Sequence, residues 1–336
     1  MYVTSHIPGF VGHASHRHGN PEQHDQTIKP RIPKDYSCTI VDNSPCSATV
    51  AAQHGTHRMN MHAPTTIHDN PIADEALYNA EMAKSLIDKI YFLDKVDANL
   101  FIDYGCADGI MLCFIERAFP GVKLVGYDID EKMLETARAN AARQNPNSKI
   151  VFTSDWNEVR EIVMRERALG VKSCLVLSSV MHEIHSYLGE GDQNSVHREI
   201  WGQAGVTFDY VAFRDMMVSK TASRPSDPMQ VARIIQCFDP KRLAEWTANW
   251  GSIEENWSLT HFLLTYRYEV NWARELKENY LPVPYEDFLA SIPPHYFPVY
   301  KDHFTLPFLR RCVKERFGFD LNERTHLKLV LEYRPD

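Results

Sequence analysis

Asp103, Gly105, Ala107, Gly109 and Asp128 are the residues whose types and spacing speak most directly of chemistry. An apolar run over 99–103 ends in the first acid. A glycine-bearing turn follows and leads into an apolar helix. A second apolar run ends in Asp128, 19 residues beyond Gly109. A strand, turn, helix and strand in this order build a pocket for an adenine nucleoside, with the acid after the second strand accepting hydrogen bonds from ribose hydroxyls. A dinucleotide pocket wants G-x-G-x-x-G and a helix N-terminus facing the pyrophosphate. Here the glycine spacing differs, and Asp103 and Asp108 crowd the turn, where they repel a pyrophosphate. A ligand with a positive centre and an ammonium group suits these carboxylates better.

The segment resembles the first motif of the class I S-adenosylmethionine-dependent methyltransferases: an acid, any residue, Gly, any residue, a small residue, any residue, Gly. Asp103, Gly105, Ala107 and Gly109 match it, with Ala107 where a second glycine is commoner. The resemblance implies S-adenosylmethionine as cofactor. It also implies an α/β fold, a doubly wound, seven-stranded, mostly parallel sheet with an antiparallel last strand. It places Asp103 at the ligand's amino-acid part and Asp128 at the ribose. Tyr104 and Ile129 line the adenine and methionine walls, Asp155 takes the adenine amino group, Trp156 packs on the ring, and Ser178 contacts the cofactor. The expected end of the fourth strand reads Ser178-Ser179-Val180-Met181-His182-Glu183-Ile184-His185-Ser186-Tyr187. His182, Glu183 and His185 are the catalytic candidates there, with Tyr187 beside them, because histidine takes a proton near neutral pH. His182 and His185 stand at i, i+3. Two such ligands do not make a metal site, and none is assigned.

These residues need elements to hold them. Apolar periodicity predicts a helix over 72–95, a first strand over 99–103, a helix over 109–119 and a second strand over 123–128. A helix over 131–144, opened by Asp130 and Glu131, leads to a third strand over 149–153. A helix near 157–168 and a fourth strand over 174–179 follow. Next come a helix near 193–204, a fifth strand over 207–213, a helix near 239–250 and a sixth strand over 257–266. The last strand is 326–333. Alternating strands and helices mean a parallel sheet covered on both faces. Arg214 and Asp215, just past the fifth strand, either reach the acceptor or pair internally. A helical insertion over about 269–320 precedes the last strand and is expected to wall the acceptor site.

The remaining chain bounds the reading. Residues 1–68 hold nine of the sixteen histidines and no periodicity, and read as an irregular arm open to an oligomeric or protein partner. Seven scattered cysteines without C-x-x-C spacing suggest reduced thiols in a cytoplasmic protein. No signal peptide and no membrane-spanning run is visible. Neither signature of DNA methylation is present after the fourth strand, neither an Asp or Asn followed by Pro-Pro-aromatic nor a Pro-Cys nucleophile. DNA is therefore an unlikely acceptor. The net charge is −8, yet Arg310, Arg311, Lys314 and Arg316 among Phe304, Phe308 and Phe317 keep RNA open. Glu269, Glu275, Glu278 and other insertion acids favour a solvated mixed-charge surface. The expected activity is methyl transfer to a small molecule or RNA. The alternatives are a catalytically silent, nucleoside-binding scaffold and a nicotinamide enzyme.

Overall fold

The computed structural model describes residues 85–335. The arm at 1–68 and most of the helix expected over 72–95 lie outside them. Of that helix, one turn is described, α1 (Leu86–Lys89), followed by turns to 95.

The elements then run β1 (Leu100–Tyr104), α2 (Ile110–Ala118), β2 (Lys123–Tyr127), α3 (Glu131–Gln144), β3 (Val151–Thr153), α4 (Trp156–Ala168) and β4 (Ser173–Ser178). After these come α5 (Met181–Tyr187), α6 (Glu190–Ile200) and β5 (Tyr210–Met216). Helices α7 (Pro228–Cys237), α8 (Pro240–Trp250), α9 (Asn256–Thr265), α10 (Trp272–Glu275) and α11 (Tyr285–Ser291) separate β5 from β6 (Tyr296–Phe304). The chain closes with α12 (Pro307–Phe317) and β7 (His326–Tyr333). The sheet order is β3-β2-β1-β4-β5-β7-β6. Strands β1 to β5 pair in parallel, and β7 runs antiparallel between β5 and β6.

Side chains alternate along the strands, so one strand feeds two cores. Leu100, Ile102, Leu175 and Leu177 enter the core on one face, and Phe101, Cys174 and Val176 enter the other. A further core forms away from the sheet, where Trp246, Phe262, Phe317 and Val313 join α8, α9 and α12. Two of its helices start with Asp-Pro. Asp227 and Asp239 cap them through side-chain bonds to the N–H groups of Met229 and Arg242, and proline fills the first helical position.

Residues 257–266 are not the sixth strand. They fall in α9, in which eight of ten residues are buried. A helix buried on nearly every side shows no apolar stripe, and its short run cannot be told from a buried strand by periodicity. The sixth strand is instead Tyr296–Phe304, in the Pro- and Tyr-rich stretch. It is a sheet edge, where Pro298 is tolerated beside a register shift between Pro298 and Tyr300. The helical segment therefore lies between β5 and β6, over 217–295, while α12 fills the β6–β7 connection. The fifth strand runs three residues further than expected, which places Arg214 and Asp215 inside it. Among the described residues no helix is long and apolar enough to cross a membrane.

Candidate active site

The carboxyl ends of β1, β2, β4 and β5 carry the polar groups. The turn after β1 alternates its backbone handedness. Gly105, Ala107 and Gly109 have φ of 74°, 45° and 69°, a conformation that glycine adopts freely and alanine at a cost. A Cβ on Gly105 would stand 2.8 Å from Val180 Cγ2, and one on Gly109 2.8 Å from Phe152 and 2.9 Å from Ala137. Glycine at 109 thus meets both a backbone and a packing demand. Gly109→Ala is expected to cost about 1–3 kcal/mol, read as a lower thermal midpoint; an unchanged midpoint would contradict this packing.

Asp128 ties the turn to β2. Its Oδ2 accepts from the Ala107 N–H at 2.9 Å and its Oδ1 from the Asp130 N–H at 3.0 Å. Burial raises its pKa against these bonds. Burial also pushes Asp103 up to about 7, with Lys89 opposing and Asp128 and Asp108 adding. Burial raises Asp108 as well. Three carboxylates of raised pKa around one turn favour a cationic ligand over an anionic one. Lys89 of α1 is pulled down to about 8 by burial and by Arg214, while Asp103, Asp108 and Glu183 oppose that shift. Its helix is anchored by Asp88, which pairs with Arg214 at 2.8 Å and with Lys328.

Ile129 is 49% exposed on the rim. Tyr104, Tyr127 and Trp156 form an aromatic cluster with centroids 4.9 to 5.2 Å apart. The Trp156 indole N–H donates to Glu199 Oε2 at 3.0 Å, which directs the ring into that cluster. Asp155 is exposed and caps α4, its Oδ1 accepting from the Asn157 N–H at 2.9 Å. The Ser178 hydroxyl oxygen is buried and makes no hydrogen bond among the described residues, the kind of atom that a ligand satisfies.

Helix α5 starts beyond β4, after Ser179, which has φ 59°. Arg214 donates to the Ser179 hydroxyl at 2.6 Å. Asp215 turns instead to α5. Its Oδ2 accepts the N–H groups of Met181 (2.8 Å) and His182 (3.2 Å), and its Oδ1 lies 2.9 Å from His182 Nδ1. Arg214 and Asp215 therefore form no pair with each other; each serves a separate neighbour.

His182 is 5% exposed. Burial favours its neutral form, but Asp215, with Glu183 and Glu278 adding, outweighs this and raises it to about 9. The pairing with Asp215 favours the protonated ring, so an imidazolium is the expected form of His182 at neutral pH. Its folded pKa lies above the model value of 6.5, so the pair adds stability that is complete below about pH 6.5 and is lost as pH rises through about 9, on the order of 3 kcal/mol. Nitrogen NMR shifts should report this imidazolium at pH 7.5; a neutral ring there would contradict the pairing.

His185 faces away from this cluster, its ring 5.2 Å from that of His197. Burial, then His197, lowers it to about 4. It does not join His182. The insertion supplies other partners. Glu278 Oε2 lies 3.8 Å from His182 Nε2. Arg274 pairs with Glu183 at 3.3 Å and with Glu278 at 2.9 Å, and Tyr187 donates to Glu278 Oε1 at 2.5 Å. Glu275 accepts from Tyr280. Burial, then Glu278, raises Glu275 to about 8 and Glu183 to about 7. Glu275 and Glu278, read from sequence as solvated acids, are each 2% exposed. The i, i+4 spacing of Arg274 and Glu278 was the one local signal of their pairing.

Residues 101–168 match a family model described as a methyltransferase domain. No curated protein matches the chain. Among solved structures it is similar to the plantazolicin methyltransferase BamL, in complex with a triazolic desmethylPZN analog and SAH. That match has 12% identity and a TM-score of 0.39, over 78% of this chain and 90% of that one. It is also similar to an O-methyltransferase family protein from Burkholderia thailandensis (12%, 0.37, 78% and 60%) and to the pyocyanin biosynthetic protein PhzM (15%, 0.42, 77% and 57%). The acid-and-glycine turn after β1, Asp128 and the start of α4 all lie within the segment, residues 101–168, that matches the methyltransferase domain.

Proposed function

We propose that the protein transfers a methyl group from S-adenosylmethionine to a hydroxyl of a small acceptor held at the tip of β4. The observation carrying this reading is the juxtaposition of two chemistries at one sheet edge. A turn ringed by Asp103, Asp108 and Asp128 suits a cationic nucleoside, and beside it a buried cluster of His182, Glu183, Glu278 and Arg274 suits a proton-bearing acceptor. S-adenosylmethionine, when bound, supplies an activated methyl on a sulfonium.

The protein's own residues do the rest. Asp128 accepts the ribose hydroxyls, Asp103 meets the ammonium group directly or through water, and the Ser178 hydroxyl finds its partner. Ile129 and the edge of the Tyr104 cluster border the adenine. Asp215 and Arg274 hold the acceptor-facing groups still, so that alignment supplies much of the acceleration. Glu183 has 21% of its side chain exposed, against 3% for Glu278 and 5% for Arg274. Access is therefore narrow, which favours a small molecule or a single protruding group.

Calorimetric titration tests the pocket. S-adenosylmethionine and its demethylated product should each bind at one site per chain, with no heat from a nicotinamide dinucleotide. Binding of the dinucleotide alone would sink the reading.

RNA is the second reading, and one observation favours it. Phe308 at the start of α12 is 36% exposed, and the guanidinium groups of Arg267 (4.3 Å) and Arg311 (5.5 Å) lie over its ring. Helix α12 follows the end of β6 that lies at the same sheet edge as the tips of β1 to β5. A steep fall of RNA affinity with salt, lessened in an Arg267→Ala, Arg311→Ala variant, would support it.

A further inference from the structure

One ring nitrogen of His182 and one carboxylate oxygen each of Glu183 and Glu278 lie within 4.8 Å of one another. The first two residues stand on α5, and the third comes from the insertion. We propose that these three side chains bind a divalent metal ion at the tip of β4, where it would hold the acceptor oxygen. The ion site stands on this cluster alone; its part in catalysis rests on the methyl-transfer reading above.

Each donor is already oriented by a neighbour. Asp215 Oδ1 at 2.9 Å takes the Nδ1 side of His182. With a proton on Nδ1, Nε2 is left with its lone pair on the side of Glu278, the carboxylate–imidazole–metal arrangement that fixes tautomer and ring plane. Arg274 Nε and the Tyr187 hydroxyl both engage Oε1 of Glu278, at 2.9 and 2.5 Å, and Arg274 also engages Oε1 of Glu183 at 3.3 Å. Those contacts leave Oε2 of Glu278 facing His182 Nε2 at 3.8 Å. That gap is too long for a hydrogen bond, and ligand bonds of about 2.0–2.4 Å on either side span it. Arg274 thus acts as a clamp on the two carboxylates rather than as a substitute for the ion.

Charge argues the same way. Asp215, Glu183, Glu275 and Glu278 are all acids within this cluster; among the described residues Arg274 is the cation paired with them directly, and Lys89 acts on Glu183 from α1. Buried charge must be compensated.

One nitrogen and two carboxylate oxygens form a borderline-to-hard donor set, suited to manganese, iron(II), zinc or magnesium. Three protein ligands leave coordination positions for water or for an acceptor hydroxyl. A hydroxyl bound there loses its proton to solvent more readily. Its oxygen lone pair then forms the new C–O bond as the S–CH3 bond breaks. That electron pair returns to sulfur, leaving a neutral thioether, a methyl ether and one released proton.

The test uses the full chain, chelator-treated and titrated with Mn2+ by electron paramagnetic resonance and with Co2+ by visible absorption. The expected result is one Mn2+ per chain, with affinity lowered at least about 100-fold in Glu278→Gln and in His182→Asn. The histidine-rich arm is intact in both variants, so ions on the arm would not show this loss. Circular dichroism confirms that the variants fold. No binding of Mn2+, Co2+ or Zn2+ by the unsubstituted protein at millimolar concentration would overturn the proposal, as would binding undiminished in both folded variants. S-adenosylmethionine binding without any ion would overturn the ion site and leave the pocket standing. Ion binding without S-adenosylmethionine binding would support the ion site and count against the pocket.

Discussion

Replacement of Arg274 by alanine should destabilise the protein by about 3–5 kcal/mol, because it leaves buried carboxylates without their cation. Arg274 is 5% exposed, contacts Glu183 and Glu278 at 3.3 and 2.9 Å, and lies over the Tyr187 ring at 5.5 Å. A large chain loses a few degrees per kcal/mol, so the thermal midpoint should fall by roughly 10 °C. The sign of the pH dependence follows from the carboxylates. Glu183 and Glu275 are already raised to about 7 and 8, and losing Arg274 raises them further. Protonation then favours the folded state, so part of the loss should return as pH falls from 7.5 to 5.5. Arg274→Lys should recover only part, since a point charge does not replace the two-sided guanidinium. Thermal unfolding at both pH values checks this. A shift below about 2 °C at pH 7.5 would mean that the cluster is solvated and that the acceptor site is built differently.

Asp128→Ala is the corresponding change on the cofactor side. The Asp128 carboxylate is fixed by the N–H groups of Ala107 and Asp130, at 2.9 and 3.0 Å. Each oxygen keeps a further lone pair, to which, in the proposed binding mode, a ribose hydroxyl would donate. Such bonds contribute about 1.5–3 kcal/mol each. Alanine should therefore weaken S-adenosylmethionine binding by about 100-fold or more, while Asp128→Asn, which keeps a carbonyl oxygen, should lose less. Equal dissociation constants for Asp128→Ala and the unsubstituted protein would remove the nucleoside from this turn.

The contrast between the two sites explains what the sequence could disclose. The turn from Asp103 to Gly109 and the acid at 128 are close in the chain, and their strands are plain apolar runs ending in charge. Local pattern was enough to read β1, α2, β2 and the capped α3. The proposed acceptor side is assembled from afar. Asp215 anchors His182 only because β5 runs three residues further than its apolar residues suggested. Glu278 looked like one solvated acid among many, and only the packing of the insertion buries it beside α5. Burial on nearly every side hid the helical nature of α9, and Pro298 together with exposed residues hid the edge strand β6. Trp156 was legible as a packing residue, but its hydrogen bond to Glu199 on α6 was not.

Methyl transfer is tested most directly by following labelled methyl from S-adenosylmethionine. The full chain, supplied with Mn2+ and an extract of source cells, should place label in the small-molecule fraction or, on the second reading, in RNA. The Asp128→Ala protein should label neither. Absence of label in every fraction, with S-adenosylmethionine binding confirmed in the same sample, would contradict the account and point to a nucleoside-binding scaffold.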